Sequence, residues 1–333
     1  MKLARLALVL LLTHCGYPEF RFVADDTAPT SADSAVVDST APEVSADSTT
    51  DSAAAPETSR DASLDTADTT VVDTGPVDTG ADACASCAPG ETCSAGACHP
   101  QRSCAAIRAA FPALPSGAYR IDPDDSGPLT PFRAFCDTGD GDGWTLALKA
   151  DGALTTFAYD AALWTNDAVL NPTSTDLLKT EAKFRSFSEL PVKQLRLSMV
   201  DAGITRTIVL DAVGTSLKAM VSGPTITTTA GRVKWLSLVA DPSLQTHCNA
   251  EGLNIDFTGT MLGPKIRLRI GIAANQETDC SSPDSFLGFG SAISSFYCFG
   301  DVDPMLVVGN LAGTMCGAPV SRTIRTFGYV FVR

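Results

Sequence analysis

No Phe, Tyr or Trp occurs between Phe22 and Phe111. That gap constrains the fold more than any other feature, because only buried apolar area offsets the entropy of fixing a backbone. Ala24–Ala83 is built instead from Ser, Thr, Asp, Ala and Pro in loose repetition: Val36-Val37-Asp38-Ser39-Thr40, Val71-Val72-Asp73-Thr74-Gly75, Val77-Asp78-Thr79-Gly80. Low hydrophobicity with one-sided charge predicts a disordered stalk over 15–83. Its roughly 60 aromatic-free residues would span about 45 Å as a flexible coil, and self-repulsion lengthens it. A globular body has to be made from Cys84 onward.

The charge follows the same division. The whole chain carries a formal −14, yet Gly16–Asp82 alone holds fifteen acidic residues against Arg21 and Arg60. Everything from Cys84 on is left near −3. Without a basic stripe to focus a field, nucleic acid is excluded as a partner, and anionic headgroups are poor ones.

Lys2 and Arg5 precede the apolar run Leu6–Leu12, which is far shorter than the ~20 residues that span a bilayer. Leu12-Thr13-His14-Cys15-Gly16 follows and resembles the lipobox of bacterial lipoproteins, with His14 where a small residue is usual. The resemblance implies a signal peptide over 1–14 and diacylglyceryl transfer to Cys15. It also implies an exported protein held at the outer membrane or cell surface by its lipid alone. Removing Cys15 from the eleven cysteines leaves ten, an even number for pairing.

Cys84, Cys87, Cys93 and Cys98 fall within fifteen residues, with Pro89-Gly90 and Ala95-Gly96 as turns. Four thiols at this spacing suit zinc, but in an oxidising compartment they pair with one another. A small disulfide-rich module over 84–103 is expected, then a globular body over 104–333. Cys104–Ala110 reads as a helix ended near Pro112, followed by strands in 115–124 and 131–137. A glycine-aspartate turn then leads to a third strand from Trp144. Ile204–Leu210 and Thr225–Arg232 read as strands, and Leu177–Phe187 is the most helix-like stretch.

Cys104-x2-Ile107, Pro115-Ser116-Gly117-x-Tyr119-x-Ile121-Asp122-Pro123, Pro131-Phe132-x3-Cys136-Asp137 and Gly143-Trp144-Thr145-Leu146 resemble the opening of fibrinogen C-terminal-like domains. Later segments are similar to the intelectin branch of that family. These are Phe157-Ala158-Tyr159-Asp160-x3-Trp164-Thr165, Asn275-Gln276-Glu277-Thr278-Asp279-Cys280, Leu287-Gly288-Phe289-Gly290, Cys298-Phe299-Gly300-Asp301 and Phe327–Arg333. The resemblance implies an α+β domain with an antiparallel sheet, short helices and long loops, and a Cys104–Cys136 disulfide. For Cys248, Cys280, Cys298 and Cys316 sequence adjacency favours 248–280 with 298–316 over a 248–298 and 280–316 crossing.

Intelectins bind vicinal diols of sugars through a protein-held calcium ion, which needs six to eight oxygen ligands. The implied metal ligands here are Asn275 and Glu277, with Asp301 one residue off a family acidic position and Asn249 as a further amide oxygen. Thr278 stands where the family has a diol-orienting His, so Asp279 or Asp284 is the expected substitute, and Tyr297 lies near the expected mouth with Phe296 and Phe299. Asp137, Asp140 and Asp142 form a second carboxylate cluster, without the closing Glu of a calcium-binding helix-loop-helix.

His99 and His247, the histidines beyond the leader, stand in no hydrolase motif, and no nucleophile elbow, zinc-protease motif or phosphate loop occurs. The sequence therefore predicts a binder, not an enzyme. It is a calcium-dependent lectin-like domain recognising glycans or surface polysaccharide, or alternatively a metal-independent, protein-binding adhesion module of the same fold.

Overall fold

The computed structural model describes residues 84–257, 266–278, 280–293, 298, 300 and 305–333. Contacts divide the chain into residues 1–71 and 72–333, and all described residues belong to the second unit. The leader, Cys15, the whole acidic segment, Asp279, Phe296, Tyr297, Phe299 and Asp301 lie outside the described residues.

The cysteine module is a hairpin of β1 (Glu91–Ser94) and β2 (Ala97–Pro100). Ala95 and Gly96 both take positive φ, as a tight two-residue hairpin turn requires. Disulfides Cys84–Cys93 and Cys87–Cys98 clamp it, in place of a core it is too small to build. Helix α1 (Cys104–Ala110) starts where Ser103 Oγ accepts a hydrogen bond from the Ala106 amide at 3.2 Å. The Cys104–Cys136 disulfide fastens it to the first large sheet.

That sheet runs β3 (Gly117–Ile121), β4 (Phe132–Asp137), β5 (Trp144–Asp151), β15 (Phe327–Val332), β7 (Val192–Asp201) and β8 (Ile204–Gly214), with β6 (Ala182–Lys183) also on β5. Strand β15 is central because its side chains are apolar on both faces. Phe327, Tyr329 and Phe331 pack with Trp144 and Leu146, while Val330 and Val332 enter the main core. Gly328 sits where a Cβ would stand 2.2 Å from the Phe289 ring, so the sheets meet there by omitting a side chain.

The second large sheet runs β14 (Arg322–Arg325), β13 (Val308–Ala312), β12 (Ser285–Ile293), β11 (Ile266–Asn275), β10 (His247–Asp256) and β9 (Ile226–Thr227). All pairs of named strands are antiparallel. The other α-helices among the described residues are α2 (Ser186–Glu189), α3 (Leu217–Ser222) and α4 (Arg232–Leu236).

The expected α+β class is therefore corrected. Three antiparallel sheets dominate, with 42% strand and 12% helix, and no described helix exceeds the seven residues of α1. The helix-like stretch Leu177–Phe187 explains part of the difference. The Nζ of buried Lys149 shares its three hydrogens among the Ser174 Oγ at 2.7 Å, the carbonyls of Ser174, Asp176 and Leu178 at 3.0, 3.3 and 3.1 Å, and the Asp176 carboxylate at 3.0 Å. Carbonyls turned onto one ammonium are not available to a helix ladder, so tertiary demand overrides propensity. Thr225–Arg232 likewise pairs only at β9. Beyond it, the amides of Ala230 and Gly231 bind the Glu251 carboxylate at 3.0 and 2.8 Å, and Arg232 opens α4.

Candidate cation and ligand site

Strands β10, β11 and β12 converge at one end of the second sheet, where His247 pairs with Asn275 and Ala274 with Ser285. The start of β10 is bulged: Cys248 and Asn249 take positive φ and the register shifts between His247 and Ala250. Disulfide Cys248–Cys280 ties that bulge to the loop after β11. Cys298–Cys316 closes a second link beside it, so the pairing favoured by adjacency is the one present.

Fully buried Gln245 organises the site. Its side-chain oxygen accepts from the Asp284 amide at 3.3 Å and from Ser285 Oγ at 3.2 Å. Its Nε2 faces three oxygens: Gln276 Oε1 at 2.6 Å, Asp284 Oδ2 at 3.4 Å and the Cys316 carbonyl. An amide has two hydrogens, so three acceptors exceed what it can satisfy. Asp284 is only 4% exposed, and its Oδ1 is buried with no hydrogen-bond partner. Burial pushes this carboxyl up to about 6, and the Glu277 charge adds to the effect.

Asn275 is wholly buried at the end of β11, with Oδ1 accepting from the Gln276 amide at 2.9 Å. Glu277 is exposed, its carboxylate 2.9 Å from Gln276 Nε2, and Thr278 beside it is exposed. Asn275, Glu277, Thr278 and Asp284 thus come from the two strand ends that Ala274 and Ser285 hold together. Asn249 is turned elsewhere: its Oδ1 accepts from Arg232 Nη1 at 2.7 Å, and that arginine also binds the Leu244 and Gln245 carbonyls. Cys298 and Cys316 place ligand atoms within 4.8 Å of Asp284, but their sulfurs are joined in a disulfide and are not thiolates. What remains is a donor set of oxygens.

The carboxylates of Asp137, Asp140 and Asp142 are already paired. Arg196 pairs with Asp137 at 2.5 Å and Asp140 at 3.0 Å, Arg333 pairs with Asp142 at 2.5 Å, and Trp144 Nε1 donates to Asp140 at 3.1 Å. Against the raising effect of burial, the Gly139 amide and Arg196 hold the Asp137 carboxyl below its ordinary value.

No family model and no curated protein matches the chain. The likeness to intelectins rests on the quoted segments, and several of their residues serve packing. Phe157, Tyr159 and Trp164 are buried, and Trp164 Nε1 donates to the Phe157 and Ala158 carbonyls at 3.1 Å each. Sequence reasoning missed Gln245 and Gln276 as oxygen-site partners. A lone glutamine before a cysteine carries no signal until the strands bring it to Asp284.

Proposed function

We propose that the chain is an exported surface lipoprotein whose β-sheet body binds glycans through a calcium ion at the ends of β10–β12. One observation carries this reading: the buried Asp284 carboxylate has an oxygen, Oδ1, without a partner, beside the Gln276 and Cys316 oxygens that crowd the Gln245 amide. Leaving such an atom buried is costly, whereas a cation coordinated to it removes the cost. Asp284, Asn275, Gln276, Glu277 and the Cys316 carbonyl would hold the ion. Calcium, when bound, supplies a centre whose water ligands vicinal hydroxyls replace. Exposed Glu277 and Thr278 present a carboxylate and a hydroxyl to whatever occupies the mouth. Five disulfides consume every cysteine except Cys15, which supports both an oxidising compartment and a thiol set aside for lipid.

A glycan array probed with the full chain, with and without calcium, tests this. Calcium-dependent capture is expected, lost in excess EGTA and in Asp284→Asn while the near-ultraviolet circular dichroism is unchanged. Capture undiminished by EGTA overturns it.

A further inference from the structure

A cavity of about 810 Å³ opens where the start of β7 and the ends of β8 and β15 meet the segment that leads into α1. That is an ordinary size for a small-molecule pocket. No residue of the Asp284 site lines it.

A bulge shapes one side. Between the Val192–Gly214 and Gln194–Asp211 pairs, β8 carries Ala212 and Val213 against Lys193 alone. The Lys193 and Gln194 amides turn to the Arg333 carbonyl, at 2.6 and 3.0 Å. The exposed side chains of the bulge, Lys193 and Val213, both line the cavity, and Val213 is 80% exposed. Pro123, Leu190, Pro191 and Val332 extend the apolar wall, with Leu190 and Val332 buried.

The charges on the rim do not balance. Arg333 is committed to Asp142 at 2.5 Å, to Gln194 Oε1 at 2.7 Å and to the Trp144 ring, whose centroid lies 4.6 Å away. Gln194 Nε2 in turn donates to Asp211 at 2.6 Å. Arg102 meets Asp125 at 3.4 Å between two exposed side chains, a pair worth little. Lys193 has no ion pair among the described residues. Three cations thus stand against two carboxylates, and the unpaired one borders the apolar wall.

This combination selects a ligand class. A sugar would leave hydroxyls unpaired against Pro123, Leu190 and Val332. A polyanion would set its further charges against Asp142 and Asp211. We propose that the cavity binds a small amphiphilic anion, an alkyl or aryl body carrying one carboxylate or sulfonate. The body lies on Val213, Pro191 and Leu190, the head pairs with Lys193, and Arg102 on the same rim adds to the attraction.

Anilinonaphthalene sulfonate, an aryl sulfonate that fluoresces once its rings leave water, is the probe. The full chain is titrated in EGTA, so calcium at the Asp284 site plays no part. One probe per chain is expected, with Kd on the order of 10⁻⁵ M from the per-atom efficiency of ligands this size. Lys193→Glu is expected to weaken binding about tenfold or more, and Lys193→Arg by less than about threefold. Lys234→Glu makes the same charge change on α4 and is expected to leave binding unaltered. Decanoate is expected to displace the probe, and decanol at equal concentration to leave it bound. Lys193 is exposed, so the fold tolerates its replacement, which an unchanged near-ultraviolet circular dichroism spectrum checks. No saturable binding, equal effects of Lys193→Glu and Lys234→Glu, or equal displacement by both competitors overturns the proposal.

Discussion

Lys183, on β6, is a buried ammonium with no carboxylate in ion-pair reach among the described residues, and replacing it with methionine is predicted to leave the fold nearly as stable at pH 7. Its Nζ donates to the Asn166 carbonyl at 2.7 Å and Oδ1 at 3.3 Å, and stands 4.8 Å from the Phe187 ring centroid. Burial lowers it from 10.5 to about 8, with the Asp167 charge opposing and the Lys218 charge reinforcing the effect. That displacement corresponds to roughly 3 kcal/mol against the charged native state, discounted to about 2 for screening past half-buried Asn166 and exposed Asp167. Lys183→Met removes this cost but forfeits about 1 kcal/mol of hydrogen bonding and about 0.5–1 kcal/mol of cation–π attraction. The net change is expected within about 1 kcal/mol of zero.

The pH dependence is the sharper test. The folded value lies below the unfolded one, so between about 8 and 10.5 the unfolded chain binds the proton more tightly, and wild-type stability rises through that window. Urea unfolding followed by tryptophan fluorescence at pH 7 and pH 10, disulfides intact, measures it. Tyr159 and Tyr329, whose hydroxyls burial raises, act alike in both proteins and cancel in the difference. A loss above about 2 kcal/mol at pH 7, or parallel pH profiles for the two proteins, would refute the reasoning.

Lys149 is the opposite case. Lys149→Met removes the donor that holds the Ser174, Asp176 and Leu178 carbonyls, and because that loop can turn to water a loss of about 1–3 kcal/mol is expected in the same urea assay, with faster proteolysis in 172–180. Replacing Cys248 and Cys280 with alanine opens a 32-residue loop; about 3–4 kcal/mol should be lost, and calcium-dependent glycan capture should fall further than when Cys84 and Cys93 are replaced.

Local pattern made the first fifty residues of the body legible. Ser103 caps α1, alternation places β3 and β4, and the glycine-aspartate turn delivers β5. What failed depended on distant partners. Leu177–Phe187 has helix-forming residues, yet Lys149 takes the Leu178 carbonyl and pairing with β5 draws Ala182 and Lys183 into β6. At the candidate site, sequence analysis brought out Asn275, Glu277 and Asp284 as a segment. It assigned Asn249 to a metal because it cannot see Arg232 waiting for that oxygen. The aspartates at 137, 140 and 142 likewise meet partners the local sequence does not show, since their arginines lie on β7 and just past β15.

The central position of β15 governs how the domain is made. Strands β5 and β7 meet only through it, so a nascent chain halted before Phe327 carries two bare edges facing each other. Such a sheet closes late, through pairings distant in sequence, and its intermediates are open to wrong strand partners. Under the export proposed above, the chain would cross a membrane as an unfolded thread and pair its cysteines afterwards, and the half-made sheet would not meet a crowded cytoplasm.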